Sequence, residues 1–377
     1  MSQKVASLPE HFGRVQDPRV DRTKRHLLID ILMIAICAVI CGADDWVAVA
    51  AFGRAKQKWF KTFLRLPNGI PSHDTFGRVF ARLDPQHFQQ AFVTWIQAVS
   101  DLTQGQVVAI DGKKLRRSHD RRLGKTAIVM VSAWATANRL VLGQVKTDAQ
   151  SNEITAVPEL LRILALHGCI VTLDALGCQT HIAATIVAQG GEYLLAVKEN
   201  QGLLYQDLRD LFREAREAQF RETLSDSART VDKSHGRLEI RRCWTIADPD
   251  FIDYIRDGRT WKNLRTLVMV ESERRIGRKT TRDTRYFIAS IENDAALALR
   301  AVRSHWGIEN ELHWVLDIAF REDDCRVRKD YGPQNFAILR HIALNLLKQE
   351  TTAKLGIKNK RLQAAWDESY LLTLLSQ

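Results

Sequence analysis

The stretch Val107-Val108-Ala109-Ile110-Asp111-Gly112-Lys113-Lys114 decides how the rest of the chain is read. Its short β-branched apolar run predicts a buried strand, which the glycine and lysines bring to a close just past a carboxylate. Cys169-Ile170-Val171-Thr172-Leu173-Asp174-Ala175 repeats the design. Two hydrophobic strands, each with an Asp near its C-terminal end, are what a sheet needs to hold two carboxylates side by side. Paired carboxylates are the usual protein contribution to a two-Mg²⁺ site for phosphoryl transfer.

Working outward from the first strand, the pattern predicts strands over 127–135 and 139–146, joined by the hairpin turn Thr136-Ala137-Asn138. A helix over 153–166, the second Asp-bearing strand, a helix over 181–189 and a strand over 192–197 follow. That strand ends at Lys198-Glu199-Asn200-Gln201. Three antiparallel strands followed by α-β-α-β is the element order of the ribonuclease-H-like fold. The expected class is therefore α/β: a ribonuclease-H-like mixed sheet flanked by helices.

Before this core the periodicity is helical. Residues 8–25 are polar and basic and read as a lead-in arm. The run from Leu27 to Cys41 reads as a buried helix, because it is short for a membrane span and contains Asp30. Gly42-Ala43-Asp44-Asp45 supplies a stop and a new N-cap. Further helices are expected from Trp46, after a cap at Ser72 or Asp74, and from Pro85 to about Val99. The segment around 70–83 has the makings of half a helix-turn-helix, or equally of a helical packing module. After the core, a charged helix over 202–225 leads to strands over 238–246, 266–271 and 284–290. An Arg-rich loop over 272–283 is expected between the last two. The expected division is an all-α N-terminal domain over 1–103 with a DNA-binding potential, a catalytic core over 104–201 and 292–350, an inserted helix and β-rich segment over 202–291, and a helical tail over 351–377.

Two metals need more than two aspartates. His305-Trp306-Gly307-Ile308-Glu309-Asn310-Glu311-Leu312-His313-Trp314 supplies a candidate. On an α-helix, His305, Glu309 and His313 fall in one row, while Glu311 points about 200° away. Glu309 is the third acid by this reading. The row also has the donor chemistry of a zinc site, but the tight H-E-x-x-H spacing is absent. Taken singly, each acid has a bland reading: a strand-end turn for Asp111 and Asp174, a solvated helix position for Glu309.

The charge balance narrows the partner class. Lys and Arg number 55 against 44 Asp and Glu, a net charge of +11, which favours a polyanion. Lys113, Lys114, Arg116, Arg117, Arg121 and Arg122 follow the first Asp; Arg274, Arg275, Arg278, Lys279 and Arg282 crowd the expected loop; Arg326, Arg328 and Lys329 follow the Glu helix. Lys198, Asn200 and Gln201 are read as phosphate contacts or as turn residues. The six cysteines form no C-x₂-C pair, which favours reduced core thiols in a cytoplasmic protein. The first ten residues have no signal-peptide pattern.

On these residues the chain resembles the H-repeat-associated transposases of bacterial insertion sequences, within the DDE superfamily. The stretches that carry the resemblance are Ala109–Lys113, Thr172–Gln179, Ala196–Gln201, Lys233–Arg241 and His305–Asn310. It spans nearly the whole chain. The resemblance implies a metal-dependent DNA transposase with Asp111, Asp174 and Glu309 as its catalytic and metal-binding acids. It implies two Mg²⁺ as cofactor, with Mn²⁺ as a substitute, and double-stranded DNA (transposon ends and target) as partner. It also implies a dimer on DNA, no membrane association and a place in the bacterial cytoplasm at the nucleoid. The related larger group carries Tyr-x₂-Arg-x₃-Glu-x₆-Lys around its Glu. Here those positions are Val302, His305 and Leu316, so the side-chain roles do not transfer. Candidate DNA contacts are Lys113, Lys114, Arg116, Arg117, Lys198, Asn200, Arg237, Arg303, His305, His313, Arg326 and Arg328. The competing readings are an inactive, transposase-derived DNA-binding protein and a ribonuclease-H-like nuclease that cuts without strand transfer.

Overall fold

In the computed structural model, which describes residues 8–99, 104–119, 124, 126–147, 153–221, 223–234 and 236–376, β1 (Val107–Lys114) lies inside a single sheet. It pairs with β2 (Val129–Ala135) antiparallel on one side and β4 (Ile170–Leu173) parallel on the other. β3 (Leu140–Lys146) continues antiparallel beyond β2, and β5 (Glu192–Val197) parallel beyond β4. The order is thus 3-2-1-4-5, with the two Asp-bearing strands adjacent and pointing the same way. Strands buried on both faces read as unbroken apolar runs, and those of β1 and β4 are of that kind.

The β-rich segment extends this sheet. β6 (Ser225–Ser234), β7 (Arg237–Ile246), β8 (Thr266–Ile276) and β9 (Lys279–Ala289) pair antiparallel in sequence, and β9 then pairs with β5. Nine strands run in the order β3-β2-β1-β4-β5-β9-β8-β7-β6. Two expectations are corrected here. The Arg-rich stretch 272–283 is the far half of the β8–β9 ribbon, turned at Gly277 with φ +56°. Opposite charges hold it, since Glu273 stands across from Arg282 and accepts from both Arg275 and Arg282. The strand β6 was absent from the sequence reading because Ser-Asp-Ser-Ala-Arg-Thr-Val-Asp-Lys-Ser shows little apolar alternation. It is the outermost strand, where charged side chains guard the open edge.

The helices α1 (Leu8–Phe12), α2 (Leu28–Ile40), α3 (Trp46–Ala55), α4 (Gln57–Phe60), α5 (His73–Arg82) and α6 (Pro85–Val99) precede the sheet. α2 is apolar all round and buried from Asp30 to Ile40, as a core helix requires. Its Asp30 is satisfied by the Leu66 backbone N–H at 2.9 Å. Ser72 caps α5 by accepting from Thr75 N–H. No described helix is long and apolar enough to cross a membrane. All six cysteines are free.

α7 (Glu153–Ile163), α8 (Thr180–Ala188), α9 (Gly202–Glu217) and α10 (Pro249–Tyr254) connect strands. α11 (Ala295–Gly307) leads through a π-helical turn, Ile308–His313, into α12 (Trp314–Phe320). α13 (Gly332–Gln349) then runs between the sheet and the N-terminal helices. Two buried asparagines fasten it: Asn345 exchanges two 2.9 Å hydrogen bonds with the Val141 backbone of β3, and Asn335 donates to Phe80 and Leu83 carbonyls behind α5. Phe80, Phe92, Trp134, Ile338 and Leu344 belong to one buried cluster, so the N-terminal helices and the sheet share a core. α14 (Ile357–Trp366) closes over α2, α12 and α13, and α15 (Glu368–Leu375) packs on α13 and α14.

Candidate active site

Because β1 and β4 are parallel neighbours, their C-terminal ends open on the same edge of the sheet, and Asp111 and Asp174 stand at that edge. Asp174 accepts from the N–H groups of Leu176 and Gly177, which fixes the turn after β4. Asp111 accepts from Gly112 N–H at 2.9 Å. Glu309 arrives from the π-turn. The three acids line one cavity of about 670 Å³, together with Lys198, Asn200, Arg285, His305 and Trp306.

Burial pushes the Asp111 carboxyl up to about 7; the Gly112 N–H opposes the shift, and the charges of Glu153, Asp174 and Glu309 add to it. The acids are thus within one another's field. They are not drawn to a point, however: among the described residues no three His, Cys, Asp or Glu side chains converge closely enough to hold a metal ion. The donor chemistry nevertheless fits a hard divalent cation, which takes carboxylate oxygens. A desolvated aspartate among like charges is the kind of group a cation relieves.

Of the expected row, His305 and Glu309 both line the cavity, and His313 reaches Asp111 from the same turn. A π-turn carries more residues per turn than an α-helix, so it alters the stacking of positions four apart. Glu309 is left exposed to the cavity, while His313 turns beneath it with Nδ1 3.6 Å from Asp111 Oδ2. His305 Nδ1 lies 2.9 Å from Thr172 Oγ1 on β4. Burial lowers both imidazoles to about 4, so both are neutral at physiological pH. Both brace carboxylate-bearing elements, His305 through Thr172 on β4 and His313 beside Asp111.

Lys113 is likewise engaged. β1 continues past Asp111 to Lys114, and side chains two apart share a face. Lys113 therefore points inward beside Asp111. Its ammonium donates to Glu322 at 2.8 Å and to Asp317, with Arg340 3.5 Å from the other side of Glu322. Lys114, one residue on, is exposed. Asn200 donates to the Ala175 carbonyl and closes the turn beside Asp174. Arg237 pairs with Glu239, and Arg303 reaches from α11 to Asp232 on β6. Arg116 and Arg117 pair with Asp323 and Asp324 while staying largely exposed, and Arg328 donates to the Arg117 carbonyl. Arg326 and Arg328 line a second cavity of about 840 Å³ with Arg78 and Arg321, away from the three acids. Lys198 is exposed at the mouth of the acidic cavity. Arg121 and Arg122 lie outside the described residues.

The sequence reading missed Glu153, the first residue of α7. Its carboxylate lies against Gly112: a Cβ built on that glycine would fall 2.1 Å from Oε1. A first-turn acid before an apolar helix ordinarily signals only a favourable helix dipole, which is why it passed unnoticed. Trp306 was missed as well; Arg285 stacks on its ring at 4.8 Å within the cavity.

Three acids line one cavity at the sheet edge of a basic α/β chain, and comparison with known families assigns the chain to a class. The transposase DDE domain matches residues 102–346, and its associated N-terminal domain matches residues 9–96. The chain belongs to the DDE transposase family. YhhI of Escherichia coli (strain K12), an H repeat-associated protein whose name assigns it to the transposases, is 40% identical over 99% of this chain and 98% of its own. A protein encoded in the dhlA 3' region of Xanthobacter autotrophicus is 44% identical over 75% of this chain and 94% of its own. A short relative from E. coli named inactive transposase YbfQ is 38% identical over 21% of this chain and 94% of its own. Among solved structures, a piggyBac transposase synaptic complex with hairpin DNA aligns with a TM-score of 0.40 at 13% identity, over 99% of this chain and 77% of that one.

Proposed function

We propose that this transposase family member cuts DNA at the ends of an insertion sequence and joins them to a target, with Asp111, Asp174 and Glu309 holding divalent cations in a ribonuclease-H-like core. The observation that carries the reading is the single cavity shared by three acids far apart in sequence, at the edge where the parallel strands end. Magnesium, or manganese in its place, supplies a more acidic nucleophilic water or 3′-hydroxyl and neutralises charge on the leaving oxygen. The chain's own residues position the parts. Asp174 is fixed by its turn, Asp111 is backed by His313, and Asn200 holds the loop that presents Lys198 to a phosphate. Fixing the backbone that carries the acids before substrate arrives limits the reorganisation needed to bring them onto the cations.

DNA follows the exposed cations Lys114, Arg116, Arg117, Lys198 and Arg326 and the half-buried Arg328 on this reading, and synapsis of two ends calls for a dimer. Asp111→Asn removes Mg²⁺-dependent strand cleavage while leaving binding to element-end DNA within about threefold, a shift under 1 kcal/mol. Cleavage by the purified variant would sink the assignment. Wild-type protein that binds but never nicks would favour the DNA-binding relative, and nicking without joined products would favour a simple nuclease.

A further inference from the structure

The strand register and the start of α7 bring a fourth acid to the same edge. β1 and β3 both flank β2, and Met130 stands opposite Lys113 on one side and Lys146 on the other. The end of β3 is therefore level with the C-terminal end of β1. α7 starts from that level before the chain turns back into β4, so its first residue is delivered to the Asp111 edge.

We propose that Glu153 is a fourth carboxylate of the cation site, seated on the bare backbone of Gly112 beside Asp111. The inference rests on the active-site reading above and deepens it. The glycine is the strongest support. Gly112 lies within a regular strand, where glycine weakens pairing and its conformational freedom is not used. A Cβ there would fall 2.1 Å from Glu153 Oε1, 2.3 Å from Cδ and 2.9 Å from Cγ. The absence of a side chain at 112 is what lets the carboxylate approach.

Among the described residues, the surroundings supply no ion-pair role for Glu153. Among the described residues no cation pairs with Glu153, and Lys113, the nearest in sequence to the seat, is turned away into Asp317 and Glu322. An acid serving only the helix dipole would be as well placed in solvent. Instead Glu153 is partly buried beside Asp111 and Asp174, both of which it interacts with electrostatically.

Mn²⁺ titration of the full chain, with free ion counted by electron paramagnetic resonance, tests this without relying on turnover. Glu153→Gln is expected to weaken Mn²⁺ binding by about tenfold, or about 1.4 kcal/mol. Gly112→Ala, which displaces the carboxylate, is expected to weaken it similarly, and the double variant by little more than either alone. Unfolding midpoints of the metal-free variants confirm that each is folded. Binding by Glu153→Gln within about twofold of wild type, while Asp111→Asn and Asp174→Asn lose it, would overturn the role of Glu153 and keep the three-acid site. Wild-type-like binding by Asp111→Asn and Asp174→Asn, or no binding by the wild-type chain, would overturn the site itself.

Discussion

Asp111 and Lys113 leave the same strand on the same face and do opposite work. Asp111 faces the cavity, and Lys113 is buried in an ion-pair network that ties β1 to the end of α12 and to α13. Glu322 is 3% exposed and Arg340 2%, so neither can fall back on water. Removing one member of such a network leaves an uncompensated buried charge and typically costs about 3–5 kcal/mol. Lys113→Met is therefore expected to lower stability in urea by that order. It should leave the salt dependence of DNA binding unchanged, whereas a phosphate contact would reduce the slope by about one. An unchanged unfolding midpoint would refute the structural role. At this scale the two aspartates were legible because an apolar run ending in Asp is a local pattern. The inward lysine was not, because the strand was expected to stop at the glycine. Glu153 was not, because its meaning depends on which strand its helix starts beside.

At the scale of elements, the core strands announced themselves through continuous apolar runs, and the ribbon did not. β6 and the outer halves of β8 and β9 are built from Ser, Thr, Arg and Asp, whose strand character comes from cross-strand ion pairs that only the register reveals. The π-turn was equally hidden, since an extra residue per turn leaves no mark on composition. The cationic cluster noted in the sequence ends at this ribbon tip, which makes the tip a further candidate for DNA contact. Arg278 and Lys279 are exposed there, while Arg275 and Arg282 are engaged by Glu273. Replacing Arg278 and Lys279 by Ala is expected to reduce the slope of log binding constant against log salt by roughly 2. Stability should stay within about 0.5 kcal/mol, as for exposed positions generally. An unchanged slope would mean the tip does not touch the duplex.

Across the whole molecule, the C-terminal segment works as a clasp. Arg361 of α14 donates to the Val39 and Ile40 carbonyls, satisfying the end of α2, which closes one long contact between the two ends of the chain. Glu350, 1% exposed after α13, gathers the Ala353 N–H at 2.9 Å, the Tyr370 hydroxyl at 2.8 Å and the Lys360 ammonium at 3.0 Å. Burial alone would raise this carboxyl, but hydrogen bonds from Thr352, Ala353, Lys360 and Tyr370 outweigh it and hold it at about 2 against an ordinary 4.5. The folded state therefore binds this proton less readily than the unfolded chain. Its stabilisation is fully present above the unfolded value near 4.5 and is lost as pH falls from there toward 2. The shift corresponds to about 3 kcal/mol. Glu350→Gln should be less stable than wild type at pH 7, and the difference should shrink as pH falls through that window. Parallel urea midpoints for the two proteins at successive pH values test this. A difference that stays constant from pH 6 to the acid limit would show that the clasp holds through packing and not through the charge of Glu350.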